Sequence, residues 1–177
     1  MAGWRRGAVG LVLVAALAGS GGVANAHGPS RQKASEEATL GASVADVWAV
    51  VGNFADMGWY PGVTKTEAAA DGKTRTVSFG EVTVPEELGK FDAEKHTIAF
   101  RRTHDDVKLI PVTNFANTIV LSDEGGKAHV KWTAAFYRGD PNGNPPPEMN
   151  DEAALAAAKA FIDTGLGALE TRFGAGG

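Results

Sequence analysis

The feature that most constrains the fold is a run of six strand-length segments that are separated only by short turn signals. The connections are short and polar, as in Asp71-Gly72 and Glu124-Gly125-Gly126. Connections of this length join antiparallel strands, whereas parallel pairing needs a long crossover. Segments that are neighbours in the sequence are therefore predicted to pair antiparallel, and they lie at about 63–69, 73–79, 81–91, 96–104, 112–122 and 127–138.

One long amphipathic segment follows these strands. Asn150 is a good N-cap, and Asp151 and Glu152 favour the first helical turn through the helix dipole. Apolar or small residues then recur every three or four positions through Leu169, which predicts a helix with one continuous buried face. Gly165 and Gly167 each cost the helix about 1 kcal/mol relative to alanine, so glycine here indicates close packing against the helix.

The residues before the six strands complete an α+β layout. Residues 34–40 predict a first strand, Ser43 caps a helix over 44–51, and 53–57 predict a second short helical turn. Together these elements predict a seven-stranded curved antiparallel sheet that wraps a long C-terminal helix, with two short helices after the first strand. A single domain would span 27–177, with loose ends at 27–33 and 172–177.

Residues 1–26 have the pattern of a secretory signal peptide. Arg5 and Arg6 precede an apolar run from Ala8 to Ala18, and Ala24-Asn25-Ala26 forms an A-x-A cleavage site. We expect cleavage after Ala26, a periplasmic location and no stable membrane insertion of the mature chain. The alternative is a retained membrane anchor, although the apolar run is short for a bilayer span.

Composition excludes several functional classes. The chain has no cysteine, which excludes disulfides, thiolate metal sites and a cysteine nucleophile. Because residues 1–26 hold two of the 17 basic residues and none of the 21 acidic ones, cleavage changes the net charge from −4 to −6. No nucleic-acid partner is expected for such an acidic domain.

The histidines give one weak metal hypothesis. His27 would become the first residue after cleavage, and its α-amine and imidazole could then chelate copper together. The alternative is an ordinary exposed terminus. The remaining histidines lie on separate predicted strands without ligand spacing. No cofactor is expected.

Local sequence strings resemble the START/Bet v 1-like (SRPBCC, polyketide cyclase/dehydrase-like) superfamily. The segment Ser43–Val51 is similar to the start of that superfamily's first helix, Trp59–Val63 to its following strand entry, and Glu86–Asp92 to one of its strands and turns. The resemblance implies the helix-grip fold. Pro85 departs from the pattern and predicts a bulge or break in its strand.

A narrower resemblance is to the MxaD-type proteins of methanol-oxidation gene clusters. It is carried by His27–Pro29, Pro111–Phe115, Phe136–Pro141, Pro146–Glu148 and Asn150–Ala154. It implies an accessory role in periplasmic alcohol oxidation, with a dehydrogenase or a cytochrome c as partner.

A candidate ligand pocket follows from strand alternation. If Glu86 points inward, as its counterpart does in pocket-bearing relatives, the same parity places inward-facing residues on the next three strands and on the long helix. The alternative is a filled core in which Glu86 and Arg102 pair with each other or lie at the rim. The candidate pocket residues are Trp59, Glu86, Phe100, Arg102, Phe115, Asn117, Trp132, Phe136, Phe161 and Gly165.

No recognisable catalytic constellation is present in the sequence. The G-x-S-x-G, H-E-x-x-H and phosphate-loop patterns are missing, and Glu86 and Glu87 are adjacent on a strand and so face opposite sides. We therefore expect no catalytic residues and favour an accessory or binding protein. The alternative hypotheses are a carrier of a hydrophobic small molecule (a lipid, a quinone or an aromatic compound) and an enzyme of unknown reaction.

Overall fold

A computed structural model describes residues 28–176 of the chain. It contains seven strands and two α-helices in the described range, in the predicted order. The elements are β1 (Gln32–Leu40), α1 (Val44–Val51), β2 (Val63–Ala68), β3 (Thr74–Phe79), β4 (Val82–Asp92), β5 (Thr97–Arg102), β6 (Val112–Glu124), β7 (Lys127–Arg138), a 3-10 turn (Pro147–Met149) and α2 (Asp151–Phe173).

The strands form one curved antiparallel sheet in the order β1-β7-β6-β5-β4-β3-β2. Consecutive strands from β2 to β7 pair as hairpins, and β1 joins the far side of β7. Along β6 and β7 the side chains alternate between buried and partly exposed, so one sheet face carries the core. This face covers α2, as the sequence predicted.

Helix α1 has the bounds that the sequence predicted. The Ser43 hydroxyl accepts the Asp46 N–H at 3.2 Å and caps its start, and Gly52 ends it. The second short helix expected at 53–57 is only a turn, because the Asn53 side chain accepts the Ala55 N–H and the next residues include a glycine and a proline.

Two irregularities bend the sheet near its centre. The bulge or break predicted at Pro85 is absent, since Pro85 pairs in regular register with Thr76 of β3. The pairing of β4 with β5 ends at Glu86 and Arg102, so the missing N–H of Pro85 interrupts no hydrogen bond between these two strands. The β4 bulge instead falls at Gly89, and a second lies in β6, where Asn114 has a φ of +52°. Asparagine tolerates this left-handed conformation better than most residues.

Both ends of the described chain are more ordered than the sequence predicts. Strand β1 already begins at Gln32, which pairs with Phe136. After α2 the backbone returns to β1, where the Gly176 N–H donates to the Thr39 carbonyl and the Gly41 N–H to the Gly174 carbonyl. These bonds tie residues 174–176 to the sheet.

Helix α2 begins at the expected cap, where the Asn150 side chain accepts the Ala153 N–H at 2.8 Å. Its buried face runs from Ala154 to Leu169 and packs on β1 and β7. Across residues 28–176, no helix combines the length and the apolar character needed to cross a bilayer.

Candidate functional site

The predicted inward-facing aromatic residues lie together between the sheet and α2. The ring centroid of Phe115 lies 6.2 Å from that of Phe136 and 5.2 Å from that of Phe161, and Trp132 lies 5.8 Å from Phe161. Phe100 lies on the same face but packs beside Phe54, at 6.2 Å. The predicted strand alternation is therefore correct for these aromatic residues. Most of their rings, however, fill the core and do not line an open cavity.

Gly165 and Trp132 explain why this part of the interior is filled. A Cβ atom on Gly165 would lie 2.3 Å from the Trp132 ring, so the absence of a side chain in α2 gives the indole its space. The indole N–H donates to the Asn117 Oδ1 at 3.0 Å. Trp132 therefore packs against Gly165 and is hydrogen-bonded to Asn117, and the three residues belong to the packed core rather than to a cavity wall.

Glu86 forms a buried ion pair with Arg75, not with Arg102. The Arg75 Nη2 lies 2.7 Å from the Glu86 Oε2, and both side chains are almost fully buried. Arg75 also donates to the Phe54 carbonyl at 3.0 Å and lies over the Phe54 and Phe100 rings. The pairing of Glu86 with Arg102 that the sequence left open is wrong, because β3 supplies a closer guanidinium.

Arg102 is buried without an acceptor. Only 4% of the residue is exposed, and its Nε and Nη1 have no hydrogen-bond partner within the described chain. Its guanidinium lies 4.9 Å from the Phe115 ring and 5.6 Å from the Phe161 ring. Burial lowers the pKa of Arg102 from its ordinary value, and the negative charge of Glu86 partly offsets this.

An open cavity of about 370 Å³ adjoins Arg102. Among the predicted pocket residues only Arg102 and Phe161 line it. The other lining residues come from the segment after α1, the end of β3, the β5–β6 loop and the middle turns of α2. These are Tyr60, Pro61, Phe79, Leu109, Ile110, Ala157, Ala160 and Thr164.

The β5–β6 loop is held over the cavity by two aspartates. The Asp105 carboxylate accepts the Asn114 N–H at 2.7 Å, and Asp106 accepts the Lys108 and Leu109 N–H groups. These hydrogen bonds from backbone N–H groups position Leu109 and Ile110 at the cavity. In the sequence, the apolar pair Leu109-Ile110 shortly after the two acids was the only indication that this loop lines a cavity.

Tyr60 forms the boundary between the filled core and the cavity. Its hydroxyl donates to the Phe161 carbonyl at 2.9 Å, and the two rings stack at 4.6 Å. Burial raises the pKa of Tyr60 well above its ordinary value. Thr164, also on the lining, donates its hydroxyl to the Ala160 carbonyl. Both hydroxyls thus already donate to the helix backbone.

Two further sequence candidates remain to be placed, Trp59 and His27. Trp59 packs 6.0 Å from Trp132 but borders a separate surface depression with Asp56 and Arg172. His27 falls outside the described residues, so its copper hypothesis stays a prediction. No cluster of three or more possible metal-binding side chains occurs within residues 28–176.

The strings behind the narrower resemblance have framework roles in this structure. Asn114 forms the β6 bulge, and Asn150 caps α2. Arg138 is buried and donates to the Asp140 and Asn142 carbonyls and to the Asp151 carboxylate. It therefore joins the end of β7 to the long connection and to the start of α2.

Comparison with solved structures supports the fold. XoxI from Bacillus cereus matches with a TM-score of 0.65 at 24% identity, over 81% of this chain and 95% of that one. Norcoclaurine synthase from Thalictrum flavum, in complex with dopamine and hydroxybenzaldehyde, matches at 0.61 and 16%, over 93% and 96%. An aromatase/cyclase from Streptomyces matches at 0.61 and 14%, over 81% and 93%.

Sequence comparison gives the family. No curated protein matches the chain at a significant level. The family model described as "Polyketide cyclase / dehydrase and lipid transport" matches residues 31–174, which includes every regular element of the structure. With its curved seven-stranded sheet around a long C-terminal helix, the chain belongs to the polyketide cyclase/dehydrase and lipid transport family of Bet v 1-like folds.

Proposed function

We propose that this protein binds a hydrophobic small molecule in the cavity beside Arg102 and acts as its carrier. The observation that carries the proposal is the cavity itself, of about 370 Å³, with apolar walls and one buried cation. Ligand sites have this size and this combination of apolar lining with few polar groups. The norcoclaurine synthase structure, with dopamine and hydroxybenzaldehyde bound, gives a precedent for small aromatic molecules in this fold.

A neutral aromatic probe tests the proposal. We expect saturable one-to-one binding of 2-naphthol, followed by tryptophan fluorescence. Ala157 lines the cavity, so Ala157→Phe would fill it and abolish binding. Ala156 is exposed and does not line it, so Ala156→Phe is the matched control and would bind like the parent chain. Equal binding by the two variants would contradict the proposal.

An accessory role in periplasmic alcohol oxidation is the second candidate function. It is favoured by the MxaD-like strings and by the net charge of −6 after cleavage, which would attract a basic dehydrogenase or cytochrome c. Exposed charges are screened beyond about 8 Å at physiological ionic strength, so association would weaken as salt rises. Adding the protein to a dehydrogenase–cytochrome assay from the same organism at low salt would accelerate electron transfer. An unchanged rate with no complex by titration would reject this role.

For either function, we propose a periplasmic location after cleavage at Ala26. The support is the charged, apolar and small-residue order of 1–26. N-terminal sequencing of the exported protein would begin at His27. A mature chain that still contains Trp4 would contradict this location.

A further inference from the structure

Three arginines are buried in the described chain, and they differ in how their charge is paired. Arg75 contacts the Glu86 carboxylate, and Arg138 contacts the Asp151 carboxylate and two backbone carbonyls. Arg102, at 4% exposure, is at least as buried, yet its Nε and Nη1 lack acceptors. These two nitrogens carry three N–H hydrogens. A buried charged donor without an acceptor is costly, so the pattern indicates a partner that is not part of residues 28–176.

The acids near Arg102 are already engaged elsewhere. Glu86 is paired with Arg75, and Asp105 accepts the backbone N–H groups of Asn114 and Phe115. The negative charges of Glu86 and Asp105 favour the protonated form of Arg102, but neither carboxylate accepts a hydrogen bond from its Nε or Nη1. The cation is therefore retained and left with free donors.

Arg102 lines the cavity, and its guanidinium is enclosed between aromatic rings. Phe115 and Phe161 lie within 5.6 Å of it and stabilise the cation through their ring faces. Tyr60, Phe79 and Phe161 supply an aromatic lining on the remainder of the cavity. A ligand that contacted both the Arg102 cation and the aromatic lining would carry an anionic group at one end and an aromatic ring at the other.

Resting on the proposed function, we propose that the ligand is a small aromatic carboxylate whose carboxylate group pairs with Arg102. The planar guanidinium matches a carboxylate in geometry and forms charge-assisted hydrogen bonds with it. A single cation matches a monoanion, and the apolar lining accommodates the ring.

The test compares 2-naphthoate with its neutral isostere 2-naphthamide by isothermal titration calorimetry. We expect the mature protein to bind the carboxylate roughly ten- to a hundredfold more tightly than the amide, because hydrogen bonds to a charged group are worth more than neutral ones. Arg102→Met removes this preference and leaves binding of the amide nearly unchanged. Arg102→Lys restores part of the preference, because it keeps the charge but loses the planar geometry. In urea unfolding, we expect Arg102→Met to be no less stable than the parent chain, since the substitution removes an unpaired buried charge.

The outcomes separate this inference from the proposed function. Equal affinity for both probes in the parent chain, with binding lost in Ala157→Phe, would overturn the carboxylate preference and leave the cavity as a binding site. A preference that persists in Arg102→Met would also overturn it, because another group would then recognise the anion. If neither probe binds, both proposals are wrong.

Discussion

Substituting Gly165 by alanine has two opposing effects on stability: it favours the helical conformation of α2, and it introduces a steric clash in the core. Alanine raises helix propensity by about 1 kcal/mol relative to glycine in a helix interior. The added Cβ, however, would lie 2.3 Å from Trp132 Cζ3 and 3.1 Å from Tyr60 Cε2. Trp132 is fully buried and its indole is hydrogen-bonded to Asn117, so the ring has no free space into which to move.

The steric effect is expected to prevail. Overpacking a well-packed core costs about 1–3 kcal/mol, and a contact of 2.3 Å belongs at the upper end of this range. After subtraction of the propensity gain, Gly165→Ala lowers the free energy of unfolding by about 1–2 kcal/mol. Gly167 lies in the same helix, and a Cβ atom added there would meet no other atom within 4 Å. Gly167→Ala therefore raises the free energy of unfolding by up to about 1 kcal/mol.

Urea unfolding of the three proteins, followed by tryptophan fluorescence, measures both effects. The midpoint falls for Gly165→Ala and rises for Gly167→Ala, with similar slopes. The second variant controls for helix propensity, because both changes are glycine to alanine two residues apart. If both variants shift the midpoint in the same direction, the explanation of Gly165 as the space for Trp132 is refuted.

Three further perturbations follow from the site. Glu86→Gln leaves a buried guanidinium without its charge partner and costs about 3–5 kcal/mol, whereas Glu87→Gln, from an exposed pair on the same strand, costs at most about 1 kcal/mol in the same urea assay. Burial raises the pKa of Tyr60 in the folded state, so its contribution to stability is complete below pH about 10 and is lost as the pH rises above it; Tyr60→Phe gives a flatter alkaline stability profile. Phe161→Ala weakens 2-naphthol binding measured by fluorescence. Phe136 is fully buried and does not line the cavity, so Phe136→Ala lowers stability and leaves the affinity nearly unchanged. Equal stability losses in the two glutamate variants, equal affinity losses in the two phenylalanine variants, or an unchanged alkaline profile in Tyr60→Phe would contradict these assignments.

The sequence predicted the elements better than it predicted the cavity. The antiparallel pairing of consecutive strands from β2 to β7, the α2 cap at Asn150 and the inward direction of Phe115 and Trp132 follow from turn signals, capping preference and alternation, which are local properties. The pairing of β1 with β7 is not local, and the sequence did not predict it. Pro85 was expected to disturb β4. It does not, because β5 ends opposite Glu86 and has no residue paired with Pro85, and where β5 ends depends on tertiary pairing that the sequence pattern does not show.

The composition of the cavity depends on contacts that alternation does not describe. Trp132 fills the centre because Gly165 lies opposite it, and Glu86 pairs with Arg75 from the preceding strand. The open space lies instead beneath the β5–β6 loop, where Leu109 and Ile110 approach α2. Loop positions depend on hydrogen bonds such as those of Asp105 and Asp106, which have no periodic signature in the sequence.

The most direct test of ligand binding is a methyl-detected NMR titration of the mature protein with 2-naphthol. We expect saturable shifts centred on the methyl groups of Leu109, Ile110, Ala157 and Ala160, which line the cavity, and little change at Val130 and Ala128 deep in the sheet. Shifts that are absent at saturating probe, or that appear only at methyl groups remote from Arg102, would contradict a binding function for this cavity.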